Sequence, residues 1–383
     1  MIEFTSALRL NRRRLLAAGA ALALPGSDRA FTFPLLGDLH FDRLEHHDMA
    51  WLEREKPNDV AQVRNYSRLT ETVLPRLFAE VREQIAAAAL PVPFVVHVGD
   101  FVEGLCGTPD LARVHCQDAV TFVREARLGA PFLFTKGNHD ITGPGAPEAF
   151  DAVLLPFLAA EARQELRDAC YVVEHRGATF VYFDAYRRES LPWLEATLAR
   201  QRPSLLFLVI HPPVVPYGAR STWHVYAAPS QQEARDRLLR LLGRHRAIVL
   251  SGHLHKYSVL VRSTEEGAFL QLAVSSVIPQ PEEEPRTVLE GRGAYTPDQV
   301  QVEPRFQPET EAERRARLAE EAPTVRHFQY ADAPGYAWIT VRERRVTAQI
   351  YTGLGGRRWR ELDLTALLAE AAARPAGWRY RIA

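Results

Sequence analysis

From residue 31 onward the chain alternates short apolar runs with stretches of helical periodicity, the pattern of an α/β fold. Runs that are apolar on both faces predict buried strands at Phe31 to Leu36, Phe94 to Val98, Phe132 to Thr135, Thr179 to Asp184, Leu205 to Ile210 and Ala247 to Ser251. Between them the spacing predicts helices over Tyr66 to Ala89, Asp110 to Arg127, Leu191 to Arg202 and Gln231 to Arg244. Thr108-Pro109 is a start signal for the second of these, and Pro192 suits the first turn of the third. Past residue 255 the alternation is that of half-buried strands, at Ala268 to Val274, Tyr336 to Arg342 and Val346 to Thr352. These are expected to complete a second sheet packed on the first.

Two segments fall outside this rhythm. Pro279 to about Val325 is rich in Pro, Glu and Arg, and reads as a solvated insertion carrying a short charged helix near Glu309 to Glu321. At the other end, Arg12-Arg13-Arg14 directly precedes an apolar run from Leu15 to Leu24 that stops at Pro25-Gly26. That run is about half the roughly 20 residues a spanning helix needs. A basic flank before such a run resembles a twin-arginine export signal. Residues 1–30 are therefore expected to engage the twin-arginine machinery and send a single domain, 31–383 with its insertion at 279–325, to the periplasm or the exterior. No later segment is long and apolar enough to span a membrane.

Composition sets further bounds. Hydrophobic residues make up 46% and charged residues 25% of the 383, enough for a sizeable core. The 47 basic side chains balance 47 acidic ones, so no global field draws a stable nucleic-acid partner. Cys106, Cys116 and Cys170 are too few for a disulfide scaffold and have no zinc-knuckle spacing; only Cys106 and Cys116 are near enough in sequence for a local bridge.

The chemically informative residues fall where expected strands end. The first strand runs into Gly37-Asp38-Leu39-His40, the second into Gly99-Asp100, and the third through Lys136 into Gly137-Asn138-His139-Asp140. The strand ending at Ile210 delivers His211, and the one ending at Ser251 delivers Gly252-His253-Leu254-His255. Singly, each is explained as a cap, a turn or an edge histidine. Together they assemble imidazole, carboxylate and amide donors at the carboxyl edge of a sheet, where α/β folds build sites. Such a mixture suits zinc, iron or manganese. A carboxylate shared between two ions holds them roughly 3.5–4 Å apart. Asp38 and His40, at i and i+2, are expected to point the same way, as are His253 and His255.

This ordered set resembles the signature of the calcineurin-like metallophosphoesterases, over about residues 32–257. The resemblance implies a four-layer α/β/β/α sandwich of two packed mixed sheets flanked by helices. It implies two divalent or trivalent transition-metal ions (Mn, Fe or Zn), one on Asp38, His40 and His255, the other on Asn138, His211 and His253, with Asp100 bridging. It further implies in-line attack on phosphorus by a metal-bridging hydroxide, with His139 protonating the leaving oxygen and Asp140 orienting His139. Gly99-Asp100-Phe101-Val102-Glu103-Gly104 lacks the arginine of the protein Ser/Thr phosphatases. Glu103 stands where purple acid phosphatases carry a tyrosine, which argues against a tyrosinate-bound ferric ion. What remains looks like the branch acting on small phosphodiesters or phosphomonoesters.

Substrate contacts are sought in Arg64-Asn65-Tyr66 and in the loop with Tyr217, Arg220, Trp223, His224 and Tyr226. Glu45, His46, His47 and Asp48 read as a surface helix start, and His97, His115, His175, His245 and His327 belong to no cluster. The rival readings are a nuclease and a non-catalytic platform that keeps the fold.

Overall fold

Strands that are apolar on both faces have to be covered on both faces, and the chain does this by stacking two sheets and lining the outside of each with helices. The computed structural model describes residues 29–218, 221–282, 284–299 and 310–373. The expected export signal, up to residue 28, lies outside them.

Strands β1 (Phe31–Leu36), β2 (Val95–His97) and β3 (Phe132–Phe134) run parallel in the first sheet. The chain then builds the second sheet from β4 (Tyr171–His175), β5 (Ala178–Phe183), β6 (Leu206–Ile210), β7 (Ile248–Ser251), β8 (Tyr257–Thr264), β9 (Gly267–Ala273), β10 (Val288–Glu290) and β11 (Val325–Ala331). It returns to the first with β12 (Gly335–Arg342), β13 (Arg345–Thr352) and β14 (Arg358–Asp363). The orders are β14-β13-β12-β1-β2-β3 and β10-β11-β8-β9-β7-β6-β5-β4, and both sheets are mixed. The strands at Tyr336 and Val346 were expected in the second sheet. They join the first, because β12 pairs antiparallel along β1, Phe33 opposite Ile339.

Alternation along the second sheet divides the molecule. Phe180, Phe207, Val209, Ile248 and Leu250 face the first sheet, while Val181, Leu206, Leu208, Ile210 and Val249 face the helices outside. Between the sheets Phe33 meets Phe180 and Phe207 edge-on, with centroids 5.2 and 5.7 Å apart, the arrangement aromatic quadrupoles favour.

The helices over 109–126, 190–201 and 232–244 form as the spacing predicts, and the Thr108 hydroxyl accepts from the Leu111 amide as the N-cap. The long helix expected from residue 66 is instead two, Val60–Thr72 and Leu74–Ala87. Pro75 has no N–H to continue the first ladder, so the chain turns at Val73 and starts again. Strands β4 and β14 escape the pattern because they are partly exposed edges, and β14 reads Arg-Trp-Arg-Glu-Leu-Asp.

The 279–325 segment carries the expected charged helix and is largely exposed over its described residues, but it is anchored to the sandwich rather than loose. β10 pairs with β11, the Tyr295 hydroxyl donates to the Pro216 carbonyl at 2.6 Å, and Leu318 of the helix Glu311–Glu321 is fully buried. Thr310 and Glu313 cap that helix reciprocally. Its last residue, buried Glu321, pairs with Arg235 and, at 2.7 Å, with Arg262, fixing the segment to the outer face of the second sheet. Removing one partner of a buried ion pair leaves the others uncompensated. Glu321→Gln is therefore expected to cost about 3 kcal/mol in urea denaturation. Asp363→Asn, breaking the exposed Arg345–Asp363 contact, should cost under about 1 kcal/mol.

Candidate metal centre

Parallel strands end together, so β1, β2 and β3 of one sheet and β6 and β7 of the other deliver their following residues to one end of the sandwich. Main-chain pairing continues past the strands: the Asp38 amide donates to Gly99, His40 to Asp100 and Phe41 to Phe101, at 2.9 to 3.2 Å. On the other sheet the Gly252 amide donates to the His211 carbonyl at 2.9 Å.

Asp38, His40, Asp100, His253 and His255 all have left-handed backbone, with φ of 47°, 45°, 54°, 76° and 54°. For residues with a Cβ this costs on the order of 1–3 kcal/mol each, and the surrounding structure must impose it. The i, i+2 pairs therefore do not converge as neighbours on a pleated strand; left-handed turns aim them. Two glycines make the approach possible. A Cβ on Gly137 would lie 2.1 Å from the Asp100 amide and carboxylate, and one on Gly252 would lie 2.6 Å from Asp38 Oδ2.

The side chains form two groups that share one carboxylate. Donor atoms of Asp38, His40, Asp100 and His255 lie within 4.8 Å of one another, as do those of Asp100, His211 and His253. Asp100 Oδ2 is 3.6 Å from His40 Nε2 and 3.0 Å from His211 Nε2. His40 Nε2 meets His255 Nε2 at 3.0 Å, while His211 Nε2 meets His253 Nδ1 at 3.1 Å and the Asn138 amide oxygen at 3.2 Å.

Divalent metal ions fit this donor set. Asp38 Oδ2 is buried with no hydrogen-bond partner, an acceptor left for a cation. Burial, reinforced by Asp100 and opposed by His211, pushes the Asp38 carboxyl up to about 7, so its charge calls for compensation. Burial holds His253 and His255 well below the usual imidazole range, neutral and free to ligate, and takes His40 down to about 3. Burial opposes charge on Asp100 and His211 too. At 3.0 Å each nonetheless favours the other's charge, raising His211 to about 9 and holding Asp100 well below the carboxylate range, and a cation bound there would replace the His211 proton.

A second layer fixes the rings. His211 Nδ1 is held by the Val98 carbonyl at 2.9 Å and His40 Nδ1 by Glu103 Oε2 at 2.6 Å, the hydrogen bonds by which metal-binding histidines are oriented. Tyr66 stacks on His40 at 4.4 Å, and Trp223 packs on His253 at 4.5 Å. His139 was expected to be oriented by Asp140. Asp140 instead accepts from the amides of Phe101, Val102 and Gly137 at 2.7 to 3.0 Å, tying the β2 and β3 loops together. His139 turns its Nδ1 to Glu103, 2.9 Å from the main-chain oxygen and 3.2 Å from Oε2. Glu103 thus serves both His40 and His139, a role its place three residues after Asp100 did not reveal. Burial pushes Glu103 up to about 8; for His139 the burial cost is outweighed by Glu103 and Asp100, which hold it at about 9.

Beside the ligands lies a cavity of about 480 Å³ lined by Asp100, Asn138, His139, His253 and His255 together with Gln62, Tyr66, Tyr186, Trp223, Lys256 and Tyr330. Gln62 and Tyr66, one helical turn apart, face it; Arg64 and Asn65 do not line it, and Arg64 is exposed beside Glu53 at 3.8 Å. Reading the helix from residue 66 hid that face. Tyr217 is fully buried, its hydroxyl donating to the Lys256 carbonyl, and His224 is buried against Thr222; neither lines the cavity. Arg220 lies outside the described residues. Cys106 and Cys116 are both buried free thiols, so the local bridge is not made. His46 and His47 are not on the surface: they are 4% and 7% exposed and gather with Asp42 and His115.

The model of the calcineurin-like phosphoesterase family matches residues 31–257, more than half of the chain. Among solved structures, the chain is similar to a purple acid phosphatase from yellow lupin (Lupinus luteus), at 12% identity and a TM-score of 0.48, covering 88% of this chain and 55% of that one. It is likewise similar to PhoD, at 12% and 0.47, covering 84% and 66%. GAP50, the anchor in the inner membrane complex of Plasmodium, gives 13% and 0.48, covering 90% and 95%. The chain therefore spans less than two thirds of the first two. A search of curated proteins gave no match. With the matched span containing every residue of both donor groups, the chain belongs to the calcineurin-like phosphoesterase family.

Proposed function

We propose that the chain hydrolyses a small phosphomonoester or phosphodiester at a binuclear metal centre. The observation that carries this reading is the sharing of Asp100 between two otherwise separate groups of donors. Asp38, His40 and His255 would hold one ion, Asn138, His211 and His253 the other. Bound there, such ions supply Lewis acidity, making water nucleophilic near neutral pH and offsetting charge on the phosphoryl oxygens.

The remaining chemistry belongs to the chain. His139 lines the cavity, and with Nδ1 committed to Glu103 its Nε2 is the atom left to donate a proton to the departing oxygen. Tyr66, Tyr186, Trp223 and Tyr330 give the cavity aromatic walls for the organic part of an ester, and Lys256 adds a positive charge. A volume of about 480 Å³ suits a small molecule rather than a polymer.

Export is also part of this proposal, supported by the arginine cluster before Leu15 to Leu24. Residues 1–30 fused to a prefolded reporter should carry it out of the cytosol; a reporter retained there refutes the export reading.

Wild-type protein reconstituted with manganese, zinc or iron should hold about two ions at this centre and hydrolyse p-nitrophenyl or bis-p-nitrophenyl phosphate. Chelation should abolish turnover and restored metal should recover it. Protein that stays inactive after reconstitution with all three metals would favour the binding platform. His139→Ala should lower kcat by more than about a hundredfold without releasing metal. Asp100→Asn should lose both metal and activity. The pH profile gives a third check: His139 is held protonated below about 9 and loses that proton as pH rises. Glu103→Gln removes the carboxylate that holds it there, so the alkaline limb of kcat should move to lower pH. An unmoved limb in metal-replete variant would exclude His139 as the acid.

A further inference from the structure

The loop after β1 carries a second set of buried donors that the phosphoesterase site does not use. Donor atoms of Asp42, His47 and His115 lie within 4.8 Å of one another, with the three residues 0%, 7% and 1% exposed. His47 Nε2 is 2.6 Å from Asp42 Oδ1, and His115 Nδ1 is 3.9 Å from the same oxygen. His46 adds a further imidazole, its Nδ1 3.1 Å from His115 Nδ1.

Hydrogen bonding leaves one buried atom of this cluster without a partner. His47 Nδ1 is committed to the Leu105 carbonyl at 3.1 Å, and the other Asp42 oxygen accepts from Ser67 at 2.7 Å. Two imidazole nitrogens, from His46 and His115, face each other, and His115 Nε2 is buried with no partner. A cation among the inward atoms would take the place of the proton between His46 and His115 and meet the Asp42 carboxylate as well. The outward atoms of three of these residues already have the partners that orient metal ligands: a carbonyl on His47, a hydroxyl on Asp42, and the Asp118 carboxylate on His46 Nε2 at 3.2 Å. Neighbouring ligands of a tetrahedral zinc ion stand about 3.3 Å apart. The contacts of 2.6 and 3.9 Å reach that value by adjustments of well under 1 Å.

We propose that Asp42, His47 and His115, with His46 beside them, bind one further zinc-type transition-metal ion that has a structural role. It would tie together the β1 loop, the turn at Leu105 and the helix Pro109–Ala126, none of which shares a sheet with the others. Asp42 follows His40 by two residues, and Glu103 donates its amide to the Phe41 carbonyl at 3.1 Å, so the ion braces the loops that carry His40 and Glu103.

The test is zinc content per chain after reconstitution with zinc chloride and gel filtration, on the full chain. Asp100→Asn/His253→Gln is expected to keep about one equivalent, and adding His115→Gln should remove it. His115→Gln and His47→Gln alone should each hold one equivalent fewer than wild type and melt at lower temperature. Asp100→Asn/His253→Gln protein that is folded by circular dichroism but free of zinc overturns the proposal, whether or not the His115 variant folds. So does a His115→Gln protein that holds as much zinc as wild type. Failure of the binuclear reading looks different: wild type would then hold a single zinc that Asp100→Asn/His253→Gln retains.

Discussion

Asp100 is a carboxylate with 1% of its surface exposed, and the end of the molecule around it is arranged to keep it charged. Burying an ion without compensation costs several kcal/mol. His211 at 3.0 Å offsets part of that cost, and the His139 amide donates to the other oxygen at 2.9 Å. Both helpers come from loops that a Cβ on Gly99 or Gly137 would push away. The left-handed backbone of five donors is the visible strain of this requirement, and the packed sheets beneath resist its relaxation.

The sandwich supplies that resistance. Phe33, Phe180 and Phe207 lock the two sheets face to face, and parallel strands of both deliver donors to one site. Neither sheet could make the site alone: Asp38, His40, Asp100 and Asn138 follow strands of the first, and His211, His253 and His255 follow strands of the second. Asp140 shows how tightly the two loops of the first sheet are joined, since its carboxylate spends itself on three backbone amides.

Legibility in the sequence followed locality. The central strands could be read because burial on both faces leaves an unbroken apolar run, and the donors could be read because each follows such a run directly. What depends on distant partners was hidden. Glu103 looks like one more acid in a loop until the fold brings His40 and His139 to it across 63 and 36 residues. His46 and His47 look like surface residues until the helix carrying His115 covers them. The 279–325 segment has a surface composition, yet Glu321 is buried because Arg235 and Arg262, far away in sequence, meet it. Helix faces failed for a smaller reason: misplacing the start of a helix by six residues put Arg64 in the cavity wall instead of Gln62.

The exchange of roles between Asp140 and Glu103 separates two demands made at His139: a loop held in place and a ring held at a set angle, and one carboxylate could meet both. Here Asp140 fixes the loop through the backbone, while Glu103 addresses the ring itself and at the same time holds His40, a donor of the metal centre. Because Glu103 Oε2 lies 2.6 Å from His40 Nδ1 and 3.2 Å from His139 Nδ1, one atom holds a ring of the donor set and the ring that faces the cavity, so neither ring can turn without disturbing the other's partner.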